Sequence, residues 1–299
     1  MTALWPVALA AGAACGIGIG AALQQRAAHG VPGRGSGGVR LIAVLIHRRS
    51  WVLGVLIMVT GYGLQAAALD LGRLAVVEPI LATSLVIALL VAALQARSRP
   101  RGADWVAMAM ATGGVTLFLV AAAPSGGVSQ PPAGWWAPLL IGLAALAVAS
   151  LWRSRSWSTW RAAVALATLA GMTLGTSDAL VKTTIAIGSQ RQLAVLATFA
   201  PYMLVLAGGS GFLLQQHAYR IGELRAALPA ASVLEPLTGT VLGLTLFGER
   251  LATQDAASAL VLVVAALAAL AGVWRLGTAP LLAGRAPSPR PHPTVSHPG

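Results

Sequence analysis

Acidic residues inside long apolar runs are the side chains of this sequence whose types and positions could do chemistry. Only 9% of the 299 residues are charged, yet Glu78, Asp178 and Glu235 each stand in an apolar stretch. A charged group costs at least about 2.5–3.5 kcal/mol at the centre of a membrane-spanning helix. Such groups are therefore expected to face protein or water, where they bind a proton, a cation or a polar solute.

Two of these acids are followed directly by proline, as Glu78-Pro79 and Glu235-Pro236. Proline has no amide hydrogen, so Pro236 leaves the carbonyl of Ser232, one turn earlier, without its helical donor. A carboxylate beside a freed carbonyl is an oxygen-rich site for a proton or a hard cation. The alternative is a proline kink at which Glu235 is protonated or bonded to a hydroxyl. Glu78 lies nearer the outer end of its span, so a role in a gate or vestibule fits its position as well as a role in binding does.

The third acid, Asp178, has a basic neighbour. Lys182 follows it by four residues, which places both on one face of a helix with the acid first, the better order for an ion pair. We expect either a pair that opens when a proton or cation arrives, or a structural pair that holds this helix against its neighbours.

Three amides, Gln65, Gln215 and Gln216, lie near the ends of apolar runs. Each could contact a substrate, although amides in apolar helices more often bond between helices. The five histidines have no metal-ligand spacing, and no catalytic constellation accompanies the acids. The sequence therefore predicts no enzyme, no cofactor and no assigned metal site, with Glu235 and Asp178 as ligands if a divalent cation is carried.

Apolar segments of membrane-spanning length position these groups. The chain is 57% hydrophobic, whereas a soluble domain carries roughly 25% charged residues. A spanning helix needs about 20 apolar residues, and the runs lack the alternation of barrel strands. The expected fold is an all-α integral membrane protein with about nine transmembrane helices, at roughly 3–25, 51–69, 74–96, 104–122, 134–152, 161–187, 194–216, 225–248 and 255–275.

The basic residues predict how these helices are oriented. The net charge of +12 is distributed over short loops rather than over one face of a domain, which disfavours nucleic-acid binding. Arginines concentrate in the loops after the odd-numbered spans, so the N-terminus is expected outside and the C-terminus in the cytoplasm. Residues 30–38 are expected to be a glycine-rich linker, and residues 278–299 a disordered Pro-rich cytoplasmic tail.

The two halves of the chain resemble each other. Glu78-Pro79 recurs as Glu235-Pro236 at an offset of 235 − 78 = 157, and Gly18 matches Gly175 at the same offset. Gly114 matches Gly272 in the fourth and ninth spans. The chain is thus predicted to hold a first repeat over 3–122, a connecting helix over 134–152 and a second repeat over 161–275. The odd connecting helix inverts the second four-helix repeat, as in many secondary transporters.

Three segments carry a family resemblance: GYGLQAAALDLGRLAVVEPIL at 61–81, GTSDALVKT at 175–183 and SVLEPLTGTVLGLTLFGERL at 232–251. Together they resemble the drug/metabolite transporter superfamily, with the phrase FGERL similar to the end of the penultimate helix in EamA-type repeats. Within the superfamily, the nine-helix layout and the pattern from Leu64 to Pro79 most resemble the NIPA-like branch, which is associated with magnesium transport. The resemblance covers residues 5–275.

The expected function is a secondary transporter that moves a small polar solute across the bacterial cytoplasmic membrane, coupled to protons. The pathway residues would be Asp178, Lys182, Glu235, Glu78, Gln65 and Gln215, with helix breaks at Pro79 and Pro236. A magnesium transporter is the first alternative, which Lys182 opposes unless Asp178 neutralises it. A non-transporting scaffold or sensor is the second. The expected partners are the lipid bilayer and a small-molecule or cation substrate, without nucleic acid, and a homodimer is left open.

Overall fold

The computed structural model describes residues 4–29, 31, 39–71, 80–97, 99–122, 127–128, 130–154, 156–222, 224–250 and 256–278. These residues are mostly helical and contain no β-strand. Short 3₁₀ segments cover Ala133–Trp135 and Gln192–Ala197. The α-helices are α1 (Leu4–His29), α2 (Val39–Leu45), α3 (Arg49–Leu71), α4 (Ser84–Gln95), α5 (Gly102–Ala122), α6 (Trp136–Arg153), α7 (Thr159–Arg191), α8 (Ala200–Ile221), α9 (Leu224–Thr245) and α10 (Ala256–Thr278).

Six helical segments among the described residues are long and apolar enough to cross a membrane. They are Trp5–His29, Gly102–Ala122, Ala133–Arg153, Thr159–Ser189, Ala226–Thr245 and Ala257–Leu276. The three other predicted spans overlap α3, α4 and α8, which are not among these six. The all-helical prediction is confirmed, and the count of nine spans stays a prediction. The linker at 30 and 32–38, Glu78, Pro79 and the tail from residue 279 lie outside the described residues.

Two predicted helix bounds need correction. The seventh span is predicted at 194–216, but α8 begins at Ala200 and ends at Ile221. The apolar run before it forms a 3₁₀ segment because Gln192, with φ of 47°, interrupts the helix, and Pro201 stands in the first turn of α8. The preceding helix α7 is longer than expected, with 33 residues. Gln215 and Gln216 are consequently more than one turn from the end of α8.

Close helix contacts define the direction of each helix. Gly20 of α1 approaches Gly54 of α3, and Gly16 approaches Gly61, so the two helices are antiparallel. Conversely, Gly171 and Gly175 of α7 approach Ala231 and Glu235 of α9, which makes these helices parallel.

Two aromatic pairs mark the ends of the bundle. Trp160 at the start of α7 contacts Trp274 at the end of α10, with ring centroids 5.5 Å apart and arginines beside both. We call this the Arg-rich end, where α1, α8 and α10 finish and α3, α7 and α9 begin. At the opposite end, Trp136 at the start of α6 contacts Phe247 just after α9, with centroids 6.3 Å apart.

The two halves pack their helices in a matching pattern. In the first half α1 packs against α3 and α4, and in the second α7 packs against α8 and α9. The remaining helices, α5 and α10, pack against each other. A Cβ atom on Gly114 of α5 would lie 2.7 Å from the carbonyl oxygen of Ala265, and one on Gly272 of α10 would lie 2.7 Å from that of Ala107. The two glycines are 158 residues apart in the chain (272 − 114), and the two alanines that they meet are also 158 apart (265 − 107). Each glycine therefore meets the equivalent alanine of the other helix, so exchanging α5 and α10 would leave the contact nearly unchanged.

We expect Gly114→Ala and Gly272→Ala to destabilise the protein by similar amounts, about 1–3 kcal/mol each, because overpacking forces backbone to shift. Gly113→Ala is the matched control, since a Cβ there meets nothing within 4 Å and alanine favours a helix. Thermal unfolding of the purified protein in detergent measures all three. Destabilisation by only one of the two variants would contradict the exchange symmetry of the contact.

Candidate functional site

Glu235 lies at the closest approach of α7 and α9. It is the twelfth of the 22 residues of α9, which places it in the middle of that helix. A Cβ atom on Gly175 of α7 would overlap the carbonyl oxygen of Glu235. The glycine therefore lets the two backbones touch at this level. Pro236 is inside α9, and because it lacks an amide hydrogen the carbonyl of Ser232 has no helical donor there.

Asp178 and two tyrosines surround Glu235. The carboxyl group of Asp178, one turn after Gly175, interacts electrostatically with that of Glu235. The hydroxyl of Tyr62 on α3 interacts with both acids, and the hydroxyl of Tyr219 on α8 interacts with Tyr62 and Glu235. Four helices thus contribute one side chain each to a set that we call the polar cluster: Tyr62, Asp178, Tyr219 and Glu235.

Exposure changes across the polar cluster. Asp178 is exposed and Tyr62 is 51% exposed, Glu235 is half-buried, and Tyr219 is 0% exposed. Accessibility therefore decreases across the polar cluster from Asp178 and Tyr62, its open end, to Tyr219, its closed end. The hydroxyl of Tyr219 at its closed end has no hydrogen-bond partner among the described residues. Leaving a buried hydroxyl unpaired costs about 1–3 kcal/mol, so this group is available to a bound solute.

Nearby hydroxyls are already used by the backbone. Thr176 donates to Met172 O at 2.8 Å, Ser177 to Leu174 O at 2.7 Å, and Thr240 to Pro236 O at 2.9 Å. The chemistry of this region therefore rests on the carboxyl and phenol groups, which together can take up a proton, bind a cation or accept hydrogen bonds from a polar solute.

Lys182 does not pair with Asp178, and the prediction of that ion pair is wrong. Its ammonium group pairs with Glu249 just after α9 and lies 4.6 Å from the ring centroid of Phe247. The chain turns back at Gly248, with φ of 63°, so that the Glu249 amide donates to Gly243 O at 2.9 Å. This turn carries the carboxylate to Lys182 and away from Asp178.

Glu249 is not a solvated loop residue, because its side chain is only 12% exposed. Arg250 is exposed, and Asp255 lies outside the described residues. The ion pair joins the end of α9 to α7 and leaves the polar cluster without the cation that the sequence placed there.

We expect Lys182→Met to destabilise the protein more than Glu249→Gln. The lysine substitution leaves a largely buried carboxylate without its cation, with an expected loss of stability of ~1–2 kcal/mol. The glutamate substitution leaves a lysine that is 45% exposed and still beside Phe247, so the expected loss of stability is below ~1 kcal/mol. Melting temperatures of the two single variants and the double variant test this order. Equal losses in both single variants would contradict it.

The glutamines divide into two groups. Gln65 and Gln215 are half-buried, and among the described residues no hydrogen bond joins either to the polar cluster. Gln216 is fully buried and donates to Gln24 at 2.7 Å, while Trp51 donates to Gln216 at 3.0 Å. Gln24 is likewise 0% exposed and Trp51 is 6% exposed, so these side chains belong to the interior of the bundle.

The histidines and tyrosines complete the comparison with the sequence. His217 lies in α8 with a buried Nδ1 atom. Within the described residues, no group of three His, Cys, Asp or Glu side chains could hold a metal ion. The sequence interpretation missed Tyr62 and Tyr219. All three tyrosines of the chain lie within helices, so position alone does not single these two out.

Comparisons with known proteins give one relative. A protein of Corynebacterium glutamicum, whose name describes it only as uncharacterized, is 27% identical over 208 residues, which cover 69% of this chain and 71% of the relative. No family model and no solved structure matches the chain.

Proposed function

We propose that this protein is a secondary transporter that carries a small polar solute across the cytoplasmic membrane of a bacterium, coupled to protons. The observation that carries the proposal is the close approach of two apolar helices at Gly175 and Glu235, with Asp178 one turn further along α7 and a buried phenol, unpartnered among the described residues, beside them. Ionisable groups inside a membrane helix bundle are costly and mark solute paths and proton relays. Two interacting carboxyl groups can hold one proton between them and release it as a solute binds.

The proposed architecture is nine spans in two inverted four-helix repeats. Its support is the equivalent packing of α1 on α3 and α4 and of α7 on α8 and α9, with the exchangeable contact of α5 and α10. Repeats of this kind place the substrate site near the midplane at their interface, and the position of Glu235 in the middle of α9 agrees with such a site. The sequence resemblance to the drug/metabolite transporter superfamily points to the same architecture.

A divalent cation such as magnesium is the second candidate cargo. The ion pair of Lys182 with Glu249 favours it, because the lysine that opposed a cation is engaged away from the polar cluster. Magnesium keeps several of its waters and needs only one or two carboxylates, which Asp178 and Glu235 supply. The NIPA-like resemblance of the sequence agrees with this cargo.

Flux into proteoliposomes under an imposed pH gradient tests the proposal. We expect at least one solute from a panel of labelled polar metabolites to enter faster than into protein-free liposomes, and the gradient to drive its uptake. Magnesium, followed with an internal indicator, distinguishes the second candidate. An absence of flux for every solute, with folded and correctly inserted protein, would favour the scaffold or sensor instead.

A further inference from the structure

The Arg-rich end of the bundle contains a buried polar network that joins the two halves of the chain. Gln24 belongs to α1 and Trp51 to α3, in the first half, and Gln216 belongs to α8, in the second. The Gln216 amide donates to Gln24 Oε1 at 2.7 Å, and the indole of Trp51 donates to Gln216 Oε1 at 3.0 Å. Both glutamines are 0% exposed. We call these three residues the amide bridge.

A further hydrogen bond joins the halves at the same end. Gln25 Nε2 donates to the carbonyl oxygen of Gly222, just after α8, at 3.2 Å. The ring of Trp51 also packs against Phe212 of α8, with centroids 6.3 Å apart. By contrast, the ion pair of Lys182 with Glu249 at the opposite end lies within the second half and does not tie the halves together.

The amide bridge lies nearer the Arg-rich end than Tyr62 and Glu235 do, at about the level of Tyr219. On α3, Trp51 precedes Tyr62 by eleven residues and is therefore roughly 16 Å nearer to that side. Exposure falls in the same direction, from Tyr62 at 51% to Trp51 at 6%, with Tyr219 and both glutamines at 0%. The contact between the halves is thus accessible at Tyr62 and fully buried at the amide bridge, toward the Arg-rich end.

We propose that the amide bridge is the closed gate at the Arg-rich end of the transport path, and that its hydrogen bonds break when the path opens to that side. The inference rests on the proposed function, because a gate presupposes a carrier. Neutral hydrogen bonds are suited to a gate, because each such bond between membrane helices changes the equilibrium constant between two states only a few-fold. The bonds of the bridge can therefore form and break without trapping the protein in one state.

A cysteine-accessibility experiment tests the gate without any cargo, so its failure is separable from a failure of transport. The background is Cys15→Ser with Tyr62→Cys as the reporter, in vesicles of known sidedness. A membrane-impermeant maleimide is added from either side, and His29→Cys, at the exposed end of α1, calibrates labelling from the Arg-rich side. We expect the reporter to react from the opposite side and to be protected from the Arg-rich side.

Gln216→Leu removes two bonds of the amide bridge and Trp51→Phe removes one. A hydrogen bond between membrane helices changes an equilibrium constant by about threefold on average. Labelling of the reporter from the Arg-rich end should therefore rise about eightfold in Gln216→Leu and about threefold in Trp51→Phe. Ser210→Ala is the matched control on α8, since among the described residues its hydroxyl bonds to Ala207 O of the same helix and to no other group, and it should leave labelling unchanged. Elution as a single species shows which variants are folded.

Two results would overturn the gate. One is that no folded variant of the amide bridge raises labelling from the Arg-rich end. If Gln216→Leu does not fold, the result for Trp51→Phe decides. The other is that Ser210→Ala raises it as much as they do, which is the behaviour of a network that only stabilises packing.

Discussion

Glu235→Gln is expected to reduce pH-driven solute uptake at least about 30-fold while the protein keeps its fold. Glutamine has the size of glutamate but cannot exchange a proton or carry a negative charge. Truncating one partner of a buried charged interaction costs ~2–5 kcal/mol, which corresponds to at least ~30-fold in binding. The loss should extend to both candidate cargoes, because a proton-coupled solute and a divalent cation both require the carboxylate.

Glu249→Gln is the matched control for this prediction, since it is the same substitution fourteen residues later, outside the polar cluster. It should change initial uptake by less than about threefold, because Glu249 pairs with Lys182 rather than with the polar cluster. Equal uptake by Glu235→Gln and wild type, in proteoliposomes with equal protein content, would place the path elsewhere in the bundle.

Gly175→Ala is expected to cause the largest loss of stability, ~3 kcal/mol or more. A single added methyl group overlaps the carbonyl oxygen of Glu235, which is main chain and cannot turn aside. The helices α7 and α9 must separate, and overpacking of this kind costs about 1–3 kcal/mol, occasionally more. The separation also displaces Asp178 from Glu235, so uptake should fall with stability.

Gly188→Ala, on the same helix, separates the steric effect from the helix propensity of alanine. A Cβ there meets nothing within 4 Å, so this substitution should be neutral or stabilise the protein by up to ~1 kcal/mol. Thermal unfolding in detergent compares the two variants. A melting temperature of Gly175→Ala equal to that of Gly188→Ala would show that the close approach of α7 and α9 is not required.

The sequence was informative where a single physical requirement dominates. Length and hydropathy predicted helices because a membrane leaves few alternatives for an unpaired backbone. Asp178 and Glu235 could be singled out because a charge in an apolar run is costly anywhere along it. Their proximity could not be predicted, since it depends on Gly171 and Gly175 letting α7 lie directly on α9.

The partner of Lys182 shows what local spacing cannot give. A separation of four residues made Asp178 its nearest candidate, but the chain after α9 turns back at Gly248 and brings Glu249 to the lysine. Trp51 and Gln216 are 165 residues apart in the chain, so their hydrogen bond likewise follows from tertiary packing. Tyr62 and Tyr219 were overlooked because a tyrosine in an apolar helix carries no charge to attract notice.

Proton movement driven by a solute gradient tests the central claim most directly. Proteoliposomes holding a pH-sensitive dye are given a gradient of the transported solute, with no imposed pH gradient, and the internal pH is followed. Coupling through Asp178 and Glu235 predicts that the internal pH shifts in wild-type vesicles and stays constant with a folded Asp178→Asn/Glu235→Gln variant. Solute entry into wild-type vesicles without any pH change, or an unchanged pH response in the double variant, would contradict the account.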